Sequence, residues 1–484
     1  MCCLCRRGKS DGLSTREHNR RTTVALQGIS SDRFERALTA TAVGVYLLVV
    51  VGATTSLTDA ATACSTWPAC NGQWVVPLDD PKLAIAWGHR VVALVVGVLL
   101  LATTLFAWLR DSRKRVQFSL AVAAVLYPVQ VGLGALAATT TATSVLTATH
   151  LVVAMAIFTG IVLALAWTLE PEEKDGPVEM GVEQKPATGS PTPESLSGIG
   201  ATAYAYFRLM KPRLMWLLCL VASAGMALAG GQNLEVGTVV ATLTGGVLSI
   251  GASGTFNHVL ERDVDKRMNR TADRPAATSQ IPVRNAVAFG VLLSVASLAV
   301  FLSVNVLVAV FGLTAIVFYS VVYTLLLKPN TVQNTVIGGF AGSLPALIGW
   351  AAVTNGVGLP ALVLAGVIFL WTPAHFYNLA LAYKDDYARG GFPMMPVVRG
   401  EAETRKHILL WLGATLLSAG ILATVTTLSW LYAITTVAFG AVFLLAVVKL
   451  HHERDESAAF RAFHASNAYL GSLLVAIVVD SLVL

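Results

Sequence analysis

The chain has 484 residues, 55% of them hydrophobic and only 13% charged, with a mean hydropathy of +0.67 and a formal net charge of +6. This composition excludes an ordinary soluble domain. In a membrane protein so modest a positive charge reports basic cytoplasmic loops, and it gives no ground for expecting a nucleic-acid partner. The fold class expected is all-α and polytopic, with about thirteen transmembrane helices, four in an N-terminal bundle and nine in a C-terminal one. Residues 1–33 form a polar arm, expected to be disordered and cytoplasmic, in which Cys2, Cys3 and Cys5 read as an idle reduced cluster rather than a metal or lipid site. Four spans follow near 37–57, 87–109, 116–139 and 145–167, within a first domain at 34–168. The first span starts too far in, and is too long, for a cleavable signal peptide. Residues 169–203, acidic and rich in Pro, Gly and Ser, read as a flexible linker. Nine spans follow near 214–232, 236–256, 283–303, 305–327, 332–353, 359–382, 406–426, 428–448 and 463–484, within a second domain at 204–484.

Charge orients the spans. Arg6, Arg7, Lys9, Arg16, Arg20 and Arg21 precede the first, and the 109–115, Glu261–Arg274, Lys328, Lys384–Arg389 and Lys449–Arg454 loops all fall on the same side. The opposite loops, such as 139–144 and 354–358, carry almost no charge. The protein is therefore expected in the cell membrane as a multi-pass protein, with its N-terminus cytoplasmic and its C-terminus outside.

In the first exterior loop, Cys64-Ser65-Thr66-Trp67-Pro68-Ala69-Cys70-Asn71-Gly72, Cys64 and Cys70 are a candidate disulfide, with a reduced pair as the alternative. His89 and His150 each lie near the outer end of a span. Two intramembrane imidazoles at similar depth in a four-helix bundle suit axial ligation of a heme iron, although from the residues alone two independently packed histidines are the simpler account.

The densest polar motif ends a long apolar run: Asn257-His258-Val259-Leu260-Glu261-Arg262-Asp263-Val264-Asp265. Polar groups beside a span are costly to bury and are usually kept for function. On a helix Asn257, Glu261 and Asp265 share one face, which gives a hard-oxygen clamp for Mg²⁺, while Asp263 points away. Lys266, Arg267, Arg270 and Arg274 follow and are suited to phosphate oxygens; a solvated charged loop is the bland alternative. A second polar cluster, Tyr383-Lys384-Asp385-Asp386-Tyr387 through Pro396, lies on the same membrane face. Two acid-rich loops over a greasy cavity suit ionisation of an allylic diphosphate: metals and cations take up the charge of the leaving group, and a dry cavity protects the carbocation. His375, inside a span beside Pro373, reads on its own as a hydrogen-bonded packing residue.

These strings carry a resemblance. Leu209-Met210-Lys211-Pro212-Arg213, the Asn257–Pro275 run ending Met268-Asn269-Arg270-Thr271-Ala272-Asp273-Arg274-Pro275, Leu327-Lys328-Pro329 with Asn334-Thr335, Gly349-Trp350, Trp371-Thr372-Pro373-Ala374-His375-Phe376 and Lys384-Asp385-Asp386-Tyr387 through Val398 resemble the UbiA-type intramembrane prenyltransferases, and within them the protoheme IX farnesyltransferases (heme O synthases). The resemblance implies transfer of farnesyl from farnesyl diphosphate to a vinyl group of heme B. Asn257, Glu261, Asp265 and Asp386 would hold Mg²⁺ and diphosphate; Lys211, Arg270, Arg274, Lys328 and Lys384 would be phosphate partners; His375 would contact heme or substrate. Glu261 stands where that family usually has Asp.

The first half resembles heme A synthase through Cys64…Trp67-Pro68…Cys70-Asn71-Gly72, Trp87-Gly88-His89-Arg90, Gln130…Gly132-Leu133-Gly134 and His150-Leu151. That implies heme ligation by His89 and His150, and either oxidation of the heme O methyl group or binding and transfer of heme. Many relatives have Glu where this chain has Ala86, and many have eight spans, which two copies pairing through this bundle would rebuild. A terminal heme-copper oxidase would be the eventual recipient of the product. Two other readings are a prenyltransferase for a quinone precursor or lipid and, in a different class, a polytopic transporter using the acids as ion sites.

Overall fold

In the computed structural model, which describes residues 32–52, 55, 60–77, 79–140, 143–170 and 198–483, the chain is helical throughout. Among the described residues the only β-type pairing is an isolated antiparallel bridge between Cys70 and Gln73. Cys2, Cys3 and Cys5, the basic arm and the 171–197 part of the linker lie outside those residues.

Thirteen helices among the described residues are long and apolar enough to cross a bilayer, the number expected. They are α1 (Asp32–Gly52), α2 (Pro81–Leu109), α3 (Lys114–Thr139), α4 (Ser144–Leu169), α6 (Pro212–Gly230), α7 (Val236–Leu260), α9 (Val283–Val304), α10 (Val306–Val317, continued as a π-helix over Phe318–Leu327), α11 (Asn334–Thr354), α12 (Leu359–Ala382), α15 (Glu401–Thr424), α16 (Trp430–Glu453) and α17 (Glu456–Val483). Among the described residues four short α-helices, α5 (Ile199–Leu209), α8 (Arg262–Asp265), α13 (Lys384–Gly390) and α14 (Met395–Val398), and two 3-10 turns, Ala60–Ala63 and Gly231–Asn233, complete the order. The sequence pattern placed the first span five residues too late and the last seven too late. Both begin with charged turns, Asp32–Arg36 and Glu456–Arg461, that hydropathy discards but a helix accommodates at its ends.

The spans turn large apolar side chains outward. Leu94, Phe118, Val125, Leu292 and Trp430 are 61–72% exposed, as a lipid-facing surface requires. Helices meet where side chains are small. Gly225 and Gly349 let α6 and α11 approach so closely that a Cβ at either would collide with the facing backbone, at Ala346 and Ala222 respectively. Helix ends inside the protein are capped: Asn305 Oδ1 accepts from Val308 N at 2.9 Å, and Asp480 Oδ2 accepts from Ser429 N at 2.7 Å at the start of α16.

The chain forms two compact units. One contains residues up to Val45 and Arg90–Thr168; the other contains Tyr46–His89 and Leu169–Leu484. The first is a helical bundle tied by side chains: Thr41 and Thr103 hydroxyls 3.0 Å apart, Tyr127 OH donating to Ala93 O, and Ser119 Oγ donating to Gly160 O at 2.8 Å. The second unit includes the 46–89 segment, which the sequence boundaries assign to the first domain. Its own contacts explain this: Val49 and Tyr46 fill the space beside Gly420 and Gly440 of α15 and α16. It also holds the 64–72 loop, where Cys64 and Cys70 are joined as a disulfide with Cα atoms 4.8 Å apart and pack with Val76 and Ala86.

Candidate active site

The site begins where α7 runs out. Gly254 lets the α5–α6 turn press against α7: a Cβ there would lie 3.0 Å from Leu209 O. That turn ends in Lys211, held at φ +56°, a left-handed conformation uncommon outside glycine. From it the Lys211 ammonium donates to Asn257 Oδ1 and reaches the Tyr319 hydroxyl at 3.4 Å. The helix breaks briefly at Glu261 (φ −92°, ψ 0°) and resumes as α8. The break does not destroy the shared face, because Glu261 N still bonds Asn257 O at 2.9 Å and Asp265 N bonds Glu261 O at 2.8 Å. Asn257, Glu261 and Asp265 are all 5% exposed or less, while Asp263 turns outward to Arg262 and Lys266.

Each of the three oxygen-bearing groups already has a cation. Lys211 holds Asn257; Lys328 Nζ lies 2.5 Å from Glu261 Oε1; Arg274 Nη1 lies 2.9 Å from both Asp265 oxygens and 3.7 Å from Glu261 Oε2. Burial raises the Glu261 carboxyl, but Lys328, Lys211 and Arg274 outweigh it and hold the group below its usual range. At Asp265 burial wins over Arg274, and the carboxyl is pushed up. Burial, reinforced by Arg274, pulls the Lys211 ammonium down to about 7.

The π-helical stretch supplies groups the sequence did not point to. Its wider turn (Lys328 N bonding Tyr323 O at 2.9 Å) sets Thr324 to accept from Asn257 Nδ2 at 3.1 Å while donating to Tyr319 O at 2.8 Å. Asn257 is thus clamped from both ends of its amide, with Oδ1 toward Lys211. No hydropathy or spacing signal marks a π-turn, so Tyr319 and Thr324 were invisible.

The two acid-bearing loops meet. Asp386, in the first turn of α13, accepts from Asn269 N and Arg270 N at 2.9 Å each and pairs with Arg389. Burial raises its carboxyl, but the Arg270 N–H and Arg389 outweigh it and hold the group below the usual carboxylate value. Met268 packs with Tyr387, Phe392 and Met394, and the Lys328 ammonium lies 4.4 Å from the centre of the Phe392 ring. Lys328 therefore touches Glu261 from the first loop and Phe392 from the second. Arg270 stands apart from Arg274: its guanidinium lies over the Tyr383 ring at 4.9 Å and donates to the Tyr387 hydroxyl at 3.2 Å. Arg270, Lys384 and Asp386 line a cavity of about 630 Å³ together with Asn269, Arg405 and Arg454. Lys384 pairs there with Glu401 at 2.9 Å, and Arg405, 4% exposed, pairs with Glu170 at 2.5 Å.

His375 is packed between Trp371 and Phe463, with ring centres 4.2 and 4.4 Å away, and its Nδ1 lies 2.7 Å from Ser466 Oγ. That hydroxyl donates onward to Phe463 O at 2.6 Å, so the imidazole donates from Nδ1 and its Nε2 carries the lone pair.

As a metal site the arrangement fits Mg²⁺. Two carboxylates and an amide oxygen sit on successive turns, all hard ligands. Among the described residues no three His, Cys, Asp or Glu side chains group closely enough to hold a metal by themselves. A cation here would need oxygens from a bound phosphate, the usual habit of Mg²⁺.

In the N-terminal half the two histidines fall in different compact units. His89 lies against Gly52, where a Cβ would come 3.5 Å from the imidazole Cε1. His150 fits beside Gly134 of α3, where a Cβ would come within 3.1 Å, and its Nε2 lies 3.0 Å from the Gln130 amide nitrogen. Trp87 Nε1 donates to Trp74 O at 2.8 Å, bracing the loop before α2 against that helix.

Residues 217–473 match the family model described as UbiA prenyltransferase family, and residues 35–207 match that of the cytochrome oxidase assembly proteins. A protoheme IX farnesyltransferase of Haloarcula marismortui is 64% identical over 463 residues, covering 94% of this chain and 99% of the relative. One from Halobacterium salinarum is 58% identical, with 94% and 99% covered. One from Saccharopolyspora erythraea is 45% identical over 283 residues, covering 58% of this chain and 90% of its own. Among solved structures, one described for digeranylgeranylglyceryl phosphate synthase superposes with a TM-score of 0.50 at 14% identity, covering 58% of this chain and 99% of its own, a likeness of fold. The chain is an integral-membrane enzyme of the UbiA prenyltransferase family, joined to a domain of the cytochrome oxidase assembly type.

Proposed function

We propose that the C-terminal half transfers a farnesyl group from farnesyl diphosphate to a vinyl group of heme B, giving heme O. The observation that carries this reading is the buried cluster of Asn257, Glu261 and Asp265, faced by Lys211, Lys328 and Arg274, at the end of an apolar helix. In the reaction the allylic C–O bond breaks and its electron pair leaves with diphosphate; the vinyl π electrons then form the new C–C bond, and the vinyl carbon left cationic takes up one water molecule, which gives up a proton and leaves the hydroxyl of heme O. Asn257, Glu261 and Asp265 would hold Mg²⁺, which supplies Lewis-acid stabilisation of the leaving group. Lys211, Lys328 and Arg274 reach the phosphate oxygens and add charge-assisted hydrogen bonds. Asp386 fixes the Asn269–Arg270 turn, and with it the approach of Arg274; acting as a metal ligand would require release of its backbone partners. Arg270 and Lys384, on the wall of the neighbouring cavity, are the cations through which the product diphosphate leaves. The imidazole of His375 faces heme or prenyl chain with Nε2. Membranes carrying the chain, given heme B, farnesyl diphosphate and Mg²⁺, are expected to form heme O by mass analysis; inserted, folded protein that leaves heme B unchanged refutes the assignment.

The match of residues 35–207 to cytochrome oxidase assembly proteins favours a second reading for the N-terminal half: it binds heme, with His89 and His150 as candidate ligands, and either oxidises heme O or hands it on. Accumulation of heme A on expression of the chain supports oxidation; heme O alone points to handling. Farnesyl transfer lies on the cytoplasmic face in this reading, because the basic loops do.

A further inference from the structure

Each oxygen-bearing group of the site already has a cation beside it, and Arg274 serves both carboxylates; that has consequences for how ligands enter. Asn257 is held by Lys211, Glu261 by Lys328 and Asp265 by Arg274, so every oxygen assigned to the metal is already satisfied by a cation of the chain. The carboxylate side chains are 6% and 2% exposed, and those of Lys328 and Arg274 14% and 20%. A divalent cation arriving alone would leave three cations beside it without partners in a site water hardly reaches, and an unpaired buried charge is strongly unfavourable. A diphosphate arriving alone would meet two buried carboxylates. Together the two ligands supply what each lacks: the carboxylates pass to the metal and the released cations pass to phosphate. Two of the three cations also have a neutral resting place. The Lys328 ammonium lies 4.4 Å from the centre of the Phe392 ring, and that of Lys211 lies 5.7 Å from the centre of Tyr319 and 3.4 Å from its hydroxyl.

We propose that Lys211, Lys328 and Arg274 are internal counter-ions that close the metal-binding oxygens until a diphosphate arrives, so that divalent metal and prenyl diphosphate bind as one unit. The proposal rests on the diphosphate-site reading above. It makes the cations do two jobs: they exclude metal from the empty site, and they grip phosphate in the filled one. By linkage the factor by which one ligand favours the other is the same in both directions.

The test uses the full chain in lipid nanodiscs, titrated calorimetrically with Mg²⁺ alone, with inorganic pyrophosphate alone and with preformed magnesium pyrophosphate. The preformed complex is expected to bind at least about tenfold more tightly than either component. The discriminating variant is Lys328→Met, which takes from Glu261 its nearest counter-ion and leaves only Arg274 at 3.7 Å. Its affinity for Mg²⁺ alone should rise by about tenfold or more while its affinity for the complex falls by a similar factor, opposite signs that a general loss of structure cannot produce. Arg274→Gln, which unpairs Asp265, should shift both affinities in the same directions and stands in if Lys328→Met does not fold. Wild-type protein binding Mg²⁺ alone as tightly as the complex, or variants with unchanged or weaker Mg²⁺ affinity, overturns the proposal while leaving the diphosphate site intact. Wild-type protein that binds the complex no better than its components and forms no heme O overturns the site reading itself.

Discussion

Asp265→Asn removes one charge and almost no volume from the first acid-bearing loop. The residue is 1% exposed, and both carboxylate oxygens lie 2.9 Å from Arg274 Nη1. Breaking a buried pair from one side costs about 3–5 kcal/mol. Here Arg274 keeps a fifth of its side chain in contact with solvent and has Glu261 at 3.7 Å as a second partner, so the loss of stability should be about 1–3 kcal/mol. The loss of activity should be larger than that figure suggests. A single preorganised group facing the charge that develops in a transition state is worth about 10²–10³ in rate, or 2.7–4 kcal/mol. Asn can still offer one oxygen but no longer the charge. Heme O formation by membranes supplied with heme B, farnesyl diphosphate and Mg²⁺, quantified by chromatography and normalised to folded protein, is therefore predicted to fall by about 100-fold or more. A variant that inserts normally and keeps a tenth of wild-type activity would show that Asp265 only anchors Arg274.

Three further outcomes follow from the packing. Gly349→Ala should lower the thermal stability of the detergent-solubilised protein by about 2 kcal/mol or more, because the new methyl meets the Ala222 backbone; an unchanged melting temperature would mean that α6 and α11 separate freely. Arg405→Met should destabilise by about 1–3 kcal/mol, leaving buried Glu170 with only the more distant Arg454 at 3.9 Å, whereas the double variant Glu170→Leu/Arg405→Met should recover most of the loss. Equal melting temperatures for the single and double variants contradict that coupling. The third concerns acid. The folded value of the Asp386 carboxyl is depressed, so the folded state binds fewer protons there than the unfolded one, and the resulting stability is present above the ordinary carboxylate value and is lost as pH falls through the folded value. Wild type should thus lose more stability than Asp386→Asn when the pH is lowered below about 4; parallel acid profiles would remove Asp386 from the clasp.

Much of this architecture was legible in the chain. Among the described residues the thirteen apolar runs became thirteen helices of membrane-spanning length, since a bilayer leaves backbone groups few other solutions. The i, i+4 spacing of Asn257, Glu261 and Asp265 placed them on one face, and the i→i+4 bonds survive the break at Glu261. The second loop was recognisable as acidic, but its chemistry was not: Asp386 is turned to two backbone N–H groups more than a hundred residues away, a partnership that composition cannot show. Arg270 and Arg274 look interchangeable in the string yet serve different places, one over Tyr383 and the other on Asp265. The segment 46–89 clusters with the second compact unit while the family match over 35–207 includes it in the first domain; hydropathy says where a helix lies in depth, not which helices it touches.

The π-helix over Phe318–Leu327 ends directly at Lys328. One residue added or removed along that stretch would swing the lysine by roughly 100° about the helix axis. Its amine would then face lipid rather than Glu261, and Thr324 would slip out of register with Asn257. These ten positions should accept changes of side chain far more readily than changes of length, and a single-codon deletion here should silence the transferase as thoroughly as loss of Lys328 itself.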